Sequence, residues 1–322
     1  MIQNELKKSE PVAYQSLRNA LQNNKLAHSY LFTGEYNPLK IEAAYLLAQS
    51  IIEDKKDFAC EECETCKRIR RNEYFDVIFI NGYDQTIKKD DIENIMDEFN
   101  RTALEDSGKK VYILANINNS SDKVLNMLLK FMEEPKSKNT YGIFISDVKE
   151  GLLPTIVSRC QEIPFLTRDF SFLIDKYIKA GFDDADAYLL SHILHQFNSN
   201  FELNDPYYIN AKEYVYKTIE TLNNTKYLPI MLYSEFYPIF KDRDEFRKCV
   251  DYFISIMIKM LEDAIEENSI NDNDYNNHLE LLNKYDKIKL LEIFEDANEK
   301  IGKNAERKLL FDSIAYEIIS YI

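Results

Sequence analysis

Three cysteines follow one another at two-residue gaps: Cys60, Cys63 and Cys66. Thiols at this spacing can turn toward one Zn²⁺ at about 2.3 Å, and structural zinc sites close with four ligands, mostly nitrogen or sulfur. The preceding stretch, Ile51 to Ala59, contains no Cys or His, so an oxygen from Asp54, Asp57 or another residue would have to complete the site. The three thiols are therefore candidate zinc ligands with an unknown fourth partner, and the alternative is a loop of reduced thiols.

A second candidate site is the segment GEYNPLKI, which occupies the place of a phosphate-binding loop of the form G-x-x-x-x-G-K-[ST]. Gly34 and Lys40 match this pattern. Leu39 puts a side chain where the backbone must approach phosphate, Pro38 removes an N–H donor, and Ile41 lacks the hydroxyl that ligates Mg²⁺. We therefore expect no ATP in this site, and the loop chemistry alone favours a solvated Lys40 in the first turn of a helix.

An ATP-hydrolysing site also needs two acidic residues at the end of a neighbouring strand, one for Mg²⁺ and one for the attacking water. Here those two positions are Ala115 and Asn116, and neither side chain ionises. Two independent parts of the machinery are missing together. The sequence therefore predicts a nucleotide-binding architecture that has lost intrinsic enzymatic activity.

The charge distribution argues against a nucleic-acid platform. The net charge is −15, with −4 up to Thr167 and −11 beyond it. One basic run, Lys67 to Arg71, follows the cysteines directly, and we interpret it as a solvated helix face beside three glutamates. No stretch approaches the roughly 18 apolar residues that a membrane span requires, so we expect a cytoplasmic protein without membrane contacts.

Short apolar runs alternate with helical patterns over the first half of the chain, and this alternation predicts a parallel α/β sheet. The predicted strands are 29–33, 76–80, 110–115, 141–146 and 162–165, and the predicted helices between them are 40–53, 87–99 and 121–134. Beyond residue 167 the pattern is helical, with candidates at 170–180, 184–197, 211–223, 228–240, 246–268, 275–298 and 304–322. We divide the chain into an α/β domain over 1–167, a small helical lid over 168–208 and a helical domain over 209–322.

Two further runs carry a resemblance to a known family. LLKFMEEP, from Leu128 to Pro135, and LPTIVSRCQ, from Leu153 to Gln161, resemble the LLKxLEEP and LPTIxSRCQ motifs of clamp-loader subunits. The order of the two motifs, the HSYLF start at His28, the cysteine knuckle and the degenerate phosphate loop together resemble the delta prime family of bacterial DNA polymerase III clamp loaders. The resemblance spans nearly the whole chain and becomes diffuse after residue 167.

This resemblance implies an AAA+ (P-loop NTPase-like) domain, a lid and an all-α collar that assembles with the other subunits. It implies a stator that does not hydrolyse ATP and that presents an arginine finger, Arg159 of the motif Ser158-Arg159-Cys160, to ATP on a neighbouring subunit. The implied partners are the tau/gamma ATPase subunits and delta and, through the complex, the sliding clamp and primer-template DNA. The family's knuckle has a fourth Cys upstream, which this chain lacks.

Other interpretations remain open from the sequence. An arginine near a strand end is usually a packing or ion-pair residue. A structural role of this kind is the alternative to the role that the motif implies for Arg159. One alternative function is an active ATPase motor subunit of the same machine. Another is a free-standing, metal-dependent nucleic-acid-binding protein built around the knuckle, which the net negative charge disfavours.

Overall fold

A computed structural model describes residues 1–83, 86–100, 103–133, 139–148, 152–166, 170–193, 205–224, 243–302 and 307–321. These residues form two compact units, one over Met1–Phe172 and the other beginning at Leu173. The second unit contains helices of both the predicted lid and the predicted C-terminal domain, and the division between these two stays a prediction. No helix in the described ranges is long and apolar enough to cross a membrane.

The first unit is built on a five-stranded sheet. Its strands are β1 (Ser29–Thr33), β2 (Val77–Asn81), β3 (Lys110–Ala115), β4 (Thr140–Ile145) and β5 (Gln161–Pro164). They lie in the order β2-β3-β4-β1-β5, and every neighbouring pair is parallel. All five predicted strands are confirmed to within one or two residues at their ends.

Helices cover both faces of this sheet, and the side chains of each strand alternate between the two. The helices are α1 (Ile2–Ser9), α2 (Pro11–Gln22), α3 (Leu39–Ile52), α4 (Glu64–Arg70), α5 (Lys89–Asn100), α6 (Asp122–Glu133) and α7 (Pro154–Val157). Tyr30 and Phe32 of β1 pack in a cluster with α1, α2 and α3, whereas Leu31 packs in a second cluster with α5, α6 and α7. Burial on both faces is why these strands read as continuous apolar runs.

The second unit is helical in its described residues. Its helices are α8 (Ser171–Lys179, which begins at the unit boundary), α9 (Asp184–Ile193), α10 (Pro206–Thr221), α11 (Arg243–Glu266), α12 (Asn273–Leu282), α13 (Lys287–Gly302) and α14 (Arg307–Tyr321). A fully buried carboxylate, Asp263 of α11, accepts hydrogen bonds from Tyr188, Tyr275 and Lys259. This residue therefore ties α9, α11 and α12 together. The parallel α/β class and the helical C-terminal part are confirmed.

The second unit has a helix break that the sequence pattern did not predict. The single helix predicted over 275–298 is wrong, because the chain turns at Asn283 and a new helix begins after Asp286. The Asp286 carboxylate accepts a hydrogen bond from the backbone N–H of Lys289, as a helix-capping residue does. The helix predicted over 228–240 lies outside the described residues.

Candidate functional site

The degenerate phosphate loop leaves β1 at the carboxyl edge of the sheet and presses against the end of β5. Gly34 has φ +116°, and a Cβ added there would lie 2.0 Å from the carbonyl oxygen of Phe165. The N–H of Phe165 donates to the carbonyl of Thr33 at 2.8 Å. Glycine is therefore required at position 34 by backbone conformation and by close approach.

Polar groups of this loop form hydrogen bonds with side chains of the protein itself. The Asn37 Oδ1 atom accepts a hydrogen bond from the N–H of Leu39 at 2.9 Å, and its Nδ2 donates to Glu10 at 2.8 Å. Glu10 lies between α1 and α2, is 1% exposed, and also accepts from the N–H of Leu166 at 2.9 Å. The buried carboxylate of Glu10 thus connects the amino-terminal helices, the loop and the end of β5.

Lys40 is fully buried, so the expectation of a solvated lysine is wrong. Its ammonium donates to the carbonyl oxygens of Gly34 at 2.7 Å and Ser146 at 3.1 Å, and to Oδ1 of Asp147 at 2.5 Å. An ammonium has three N–H donors, and all three have acceptors here. The residue that would bind phosphate in an active site is instead an internal structural cation.

The partner carboxylate is held from its other side by Tyr83, whose hydroxyl donates to Oδ2 of Asp147 at 2.6 Å. Burial lowers the pKa of Lys40, and the charge of Asp147 opposes that shift. Burial and then the charge of Asp147 raise the pKa of Tyr83 well above its usual range. Tyr36 stacks edge-on against Tyr83 at 5.4 Å between ring centroids, which extends the group with an aromatic cover. Together the charged and aromatic side chains of these residues fill the site.

The position expected for Mg²⁺ chemistry contains no acid. Ala115 ends β3 and is fully buried, and Asn116 follows it with φ +49°. The side-chain amide of Asn119, which lies on the same turn, donates to the carbonyl of Gly82 at 2.8 Å. This edge of the sheet is therefore closed by amide hydrogen bonds.

The three predicted cysteine ligands come together with a fourth residue that the sequence did not single out. Sulfur atoms of Cys60, Cys63 and Cys66 and a carboxylate oxygen of Glu53 all lie within 4.8 Å of one another. Cys63 precedes α4 and its sulfur accepts from the N–H of Cys66, while Glu53 follows the last residue of α3. Because the ends of two packed helices converge here, these four residues could hold a metal ion.

The donor set fits a zinc ion. Cys63 donates to Oε1 of Glu53 at 2.6 Å, and Cys66 lies 3.6 Å from the same oxygen. The second oxygen, Oε2 of Glu53, is buried and has no hydrogen-bond partner among the described residues. Burial, followed by contacts with neighbouring thiol and carboxylate groups, raises the pKa of Cys66, whereas backbone N–H groups lower that of Cys60. A divalent cation would replace the protons shared within this group.

The predicted arginine lies in an exposed turn between α7 and β5. Arg159 donates to the carbonyl of Thr155 at 3.0 Å, as does the hydroxyl of Ser158 at 3.1 Å. Cys160 points into the core, and burial raises its pKa to about 12. Within the LLKFMEEP run, Leu128 is buried, whereas Glu134 and Pro135 lie outside the described residues.

Strand register separates this arginine from the chain's own phosphate loop. Gln161 begins β5 opposite Tyr30, and Pro164 lies opposite Thr33. Arg159 therefore lies at the amino edge of the sheet, and Gly34 lies at the carboxyl edge. The four residue steps from Gln161 to Phe165 span about 13 Å. The structure thus places the two predicted groups at opposite edges.

The residues that sequence reasoning missed carry weak local signals. Asp147 lies two residues after the end of β4, the strand next to β1, where parallel strands present their carboxyl ends. Glu53 follows the last residue of α3, seven residues before the first cysteine. Both are common residues at common positions, and only the tertiary fold brings them to Lys40 and to the thiols.

The chain is similar to several known proteins. Residues 9–169 match the family described as DNA polymerase III, delta subunit. The DNA polymerase III subunit delta' of Bacillus subtilis is 31% identical over 257 residues, covering 78% of this chain and 77% of that protein. The tau/gamma subunit of Haemophilus influenzae is 30% identical over 190 residues, covering 58% of this chain and 25% of that protein. A solved gamma subunit-related protein of Thermotoga maritima aligns with a TM-score of 0.48 and 17% identity, over 94% of this chain and 98% of that one.

Proposed function

Because the chain belongs to the delta prime family of DNA polymerase III clamp-loader subunits, we propose that it acts as a stator that does not hydrolyse ATP. In this role it helps to load the sliding clamp onto primed DNA. Its chemical contribution is one arginine, donated to the ATP of a neighbouring subunit.

The state of Lys40 carries the first half of this proposal. An ATPase needs this lysine to reach the β- and γ-phosphates. In this chain all three of its donors are used by protein oxygens, and Asp147 compensates its charge. Binding ATP would require breaking a buried ion pair before any new contact formed. The missing acids at Ala115 and Asn116 favour the same conclusion.

The position of Arg159 supports the second half. This residue is exposed on the turn before β5, at the sheet edge away from Gly34, so it cannot serve its own loop. A guanidinium supplied from a neighbouring protein can stabilise the charge that develops on a transferring phosphoryl group. We propose that Arg159, the central residue of the motif Ser158-Arg159-Cys160, has this role.

The proposed partners are the tau/gamma ATPase subunits and delta, with the sliding clamp and primer-template DNA reached through the assembled complex. Relatives named as tau and gamma subunits share about 30% identity with this chain.

We further propose that the ion held by Cys60, Cys63 and Cys66 is zinc, with a structural role. The basic run contributes ion pairs to the fold, since Arg68 binds Glu105 at 2.6 and 3.1 Å.

The test is ATP turnover by the reconstituted loader, stimulated by clamp and primed DNA, with Arg159→Ala compared with the parent chain. Arg71→Ala, another exposed arginine of the same unit, is the matched control. We expect Arg159→Ala to assemble normally and to lower turnover at least about tenfold, because an arginine finger contributes roughly 10³ to 10⁵ at a single site. Unchanged turnover with equal assembly would refute the finger.

The two alternatives make different predictions. An ATPase motor would hydrolyse ATP as the purified chain, and saturable ATP binding by that chain would already contradict the stator proposal. A free-standing nucleic-acid-binding protein would bind DNA alone at physiological salt, with affinity that falls steeply as salt increases. Neither alternative gains support from the arrangement of Lys40 or from the net charge of −15.

A further inference from the structure

We infer that Glu53 is the fourth protein ligand of the zinc ion, so that the knuckle is a three-thiolate, one-carboxylate site. This inference rests on the proposed zinc ion and adds the residue that completes its coordination. It also sets this chain apart from a site of four cysteines.

The two aspartates suggested by the sequence are engaged elsewhere. Asp54 forms an ion pair with Lys109, and its side chain is 82% exposed. Asp57 binds the guanidinium of Arg18 through both carboxylate oxygens, at 2.9 to 3.2 Å. Each carboxylate therefore has a cationic partner away from the thiols. Neither belongs to the group of donors within 4.8 Å.

Glu53, in contrast, faces the thiols and is nearly buried, with a side-chain exposure of 10%. Its Oε1 lies 2.6 Å from the sulfur of Cys63 and 3.6 Å from that of Cys66. In a tetrahedral site with Zn–S of about 2.3 Å and Zn–O of about 2.0 Å, sulfur and oxygen are about 3.5 Å apart. The Cys66 distance already matches that value.

The unsatisfied oxygen of this carboxylate is the second observation. Oε2 of Glu53 is buried and lacks a hydrogen-bond donor among the described residues, and the ammonium of Lys55 stays 3.9 Å away. A buried carboxylate without full compensation is unfavourable. A divalent cation among the four side chains would supply the missing positive charge.

The surrounding loop is fixed independently of the metal, which makes the site a preformed one. Glu61, at φ +62°, accepts hydrogen bonds from the N–H groups of Ile2 and Gln3 at the start of α1, at 2.7 and 3.2 Å. Gln49 of α3 donates to the carbonyl of Cys66 at 2.9 Å. Substitution of Glu53 should therefore alter the coordination while leaving the loop in place.

The experiment measures zinc binding by the full chain in competition with a chromophoric chelator, together with Co²⁺ absorption spectra. The variants are Glu53→Gln, which removes the charge at constant shape, and Glu53→Cys, which offers a fourth thiolate. Glu62→Gln is the matched control, because Glu62 is an exposed glutamate of the same loop outside the ligand group. We expect one zinc per chain, at least tenfold weaker binding for Glu53→Gln, tighter binding for Glu53→Cys, and no change for Glu62→Gln.

The Co²⁺ spectrum reports the ligands of the metal ion. Replacing a glutamate that has only a structural role would leave this spectrum unchanged. The Co²⁺ spectrum of Glu53→Cys should shift toward that of a four-thiolate site, and this comparison remains decisive if Glu53→Gln does not fold. Zinc binding by Glu53→Gln equal to that of the parent, with an identical Co²⁺ spectrum, would overturn the role of Glu53 and leave the zinc proposal intact. A parent chain that binds no zinc would overturn both, while the stator proposal, which needs no metal, would be unaffected.

Discussion

The buried ion pair between Lys40 and Asp147 should be essential for the stability of the first unit, although it lies where other proteins bind nucleotide. Asp147→Asn tests this idea, because it removes the negative charge and keeps the size of the side chain. The Lys40 ammonium would keep the carbonyl oxygens of Gly34 and Ser146 as acceptors. It would lose the carboxylate that compensates its charge.

The size of the effect follows from the burial of the two partners. Breaking a buried pair by removing one partner costs about 3–5 kcal/mol. Two features lower this figure: the Asp147 side chain is 19% exposed, and the substituted amide oxygen can still accept a hydrogen bond. We therefore expect Asp147→Asn to lower the free energy of unfolding by about 2–3 kcal/mol. In a unit of this size, such a loss lowers the melting temperature by about 4–12 °C.

The loss in unfolding free energy caused by Asp147→Asn should also depend on pH. Burial lowers the pKa of Lys40 in the folded chain below its usual value of 10.5. Between these two values the unfolded chain binds more protons than the folded chain, so stability increases with pH. Asp147→Asn lowers the folded pKa further, so its loss of stability should shrink as the pH rises from the folded pKa of the variant to that of the parent, above which the folded lysine is neutral in both proteins.

The assay is urea and thermal unfolding of the full chain, followed by circular dichroism. Asp54→Asn is the control, since Asp54 also pairs with a lysine but its side chain is 82% exposed. An exposed pair of this kind contributes little, so the control should lose less than about 1 kcal/mol. If Asp147→Asn were as stable as this control at pH 7, the reasoning about a structural cation would be refuted.

Three further predictions concern neighbouring features. Gly34→Ala should destabilise the chain by about 3 kcal/mol or more, because its Cβ would overlap the carbonyl of Phe165 at a φ of +116°; a melting curve like that of the parent would contradict this. Chelation should lower the melting temperature of the parent chain and leave Cys63→Ser unchanged, whereas equal shifts in both proteins would exclude the knuckle as the metal site. The guanidinium of Arg68 lowers the pKa of Glu105 below 4.5, so this pair stabilises fully above that pH and is lost below the folded pKa. Glu105→Gln should therefore lower the melting temperature at pH 7, and this effect should diminish as the pH falls below 4.5 and through the folded pKa; an effect that stays the same size on acidification would be inconsistent.

Local sequence patterns predicted the sheet well. Each strand is a short apolar run, and burial on both faces makes such runs easy to distinguish. The long helical patterns of the second unit were also informative, except where Asn283 to Asp286 interrupt a continuous apolar periodicity. In that case a short turn and a capping aspartate outweighed the pattern around them.

The chemistry of the two sites was harder to predict, because it depends on residues that are distant in sequence. Lys40 and Asp147 are 107 residues apart, and nothing near the lysine indicates that a carboxylate will meet it. Glu53 was overlooked because zinc sites are usually recognised by their cysteine and histidine spacing. In both cases the sequence identified one side of the interaction, and the fold supplied the other.

The hydrogen bonds around Lys40 also bear on how such a subunit can change over evolutionary time. Restoring glycine at Leu39 and a hydroxyl at Ile41 would repair the loop pattern, yet Asp147 and Glu10 would still hold the lysine and the loop from within. Removing those carboxylates first would leave a buried cation uncompensated. Each single step back toward an ATPase therefore passes through a less stable protein, and the loss of the active site has become entrenched by the packing that replaced it.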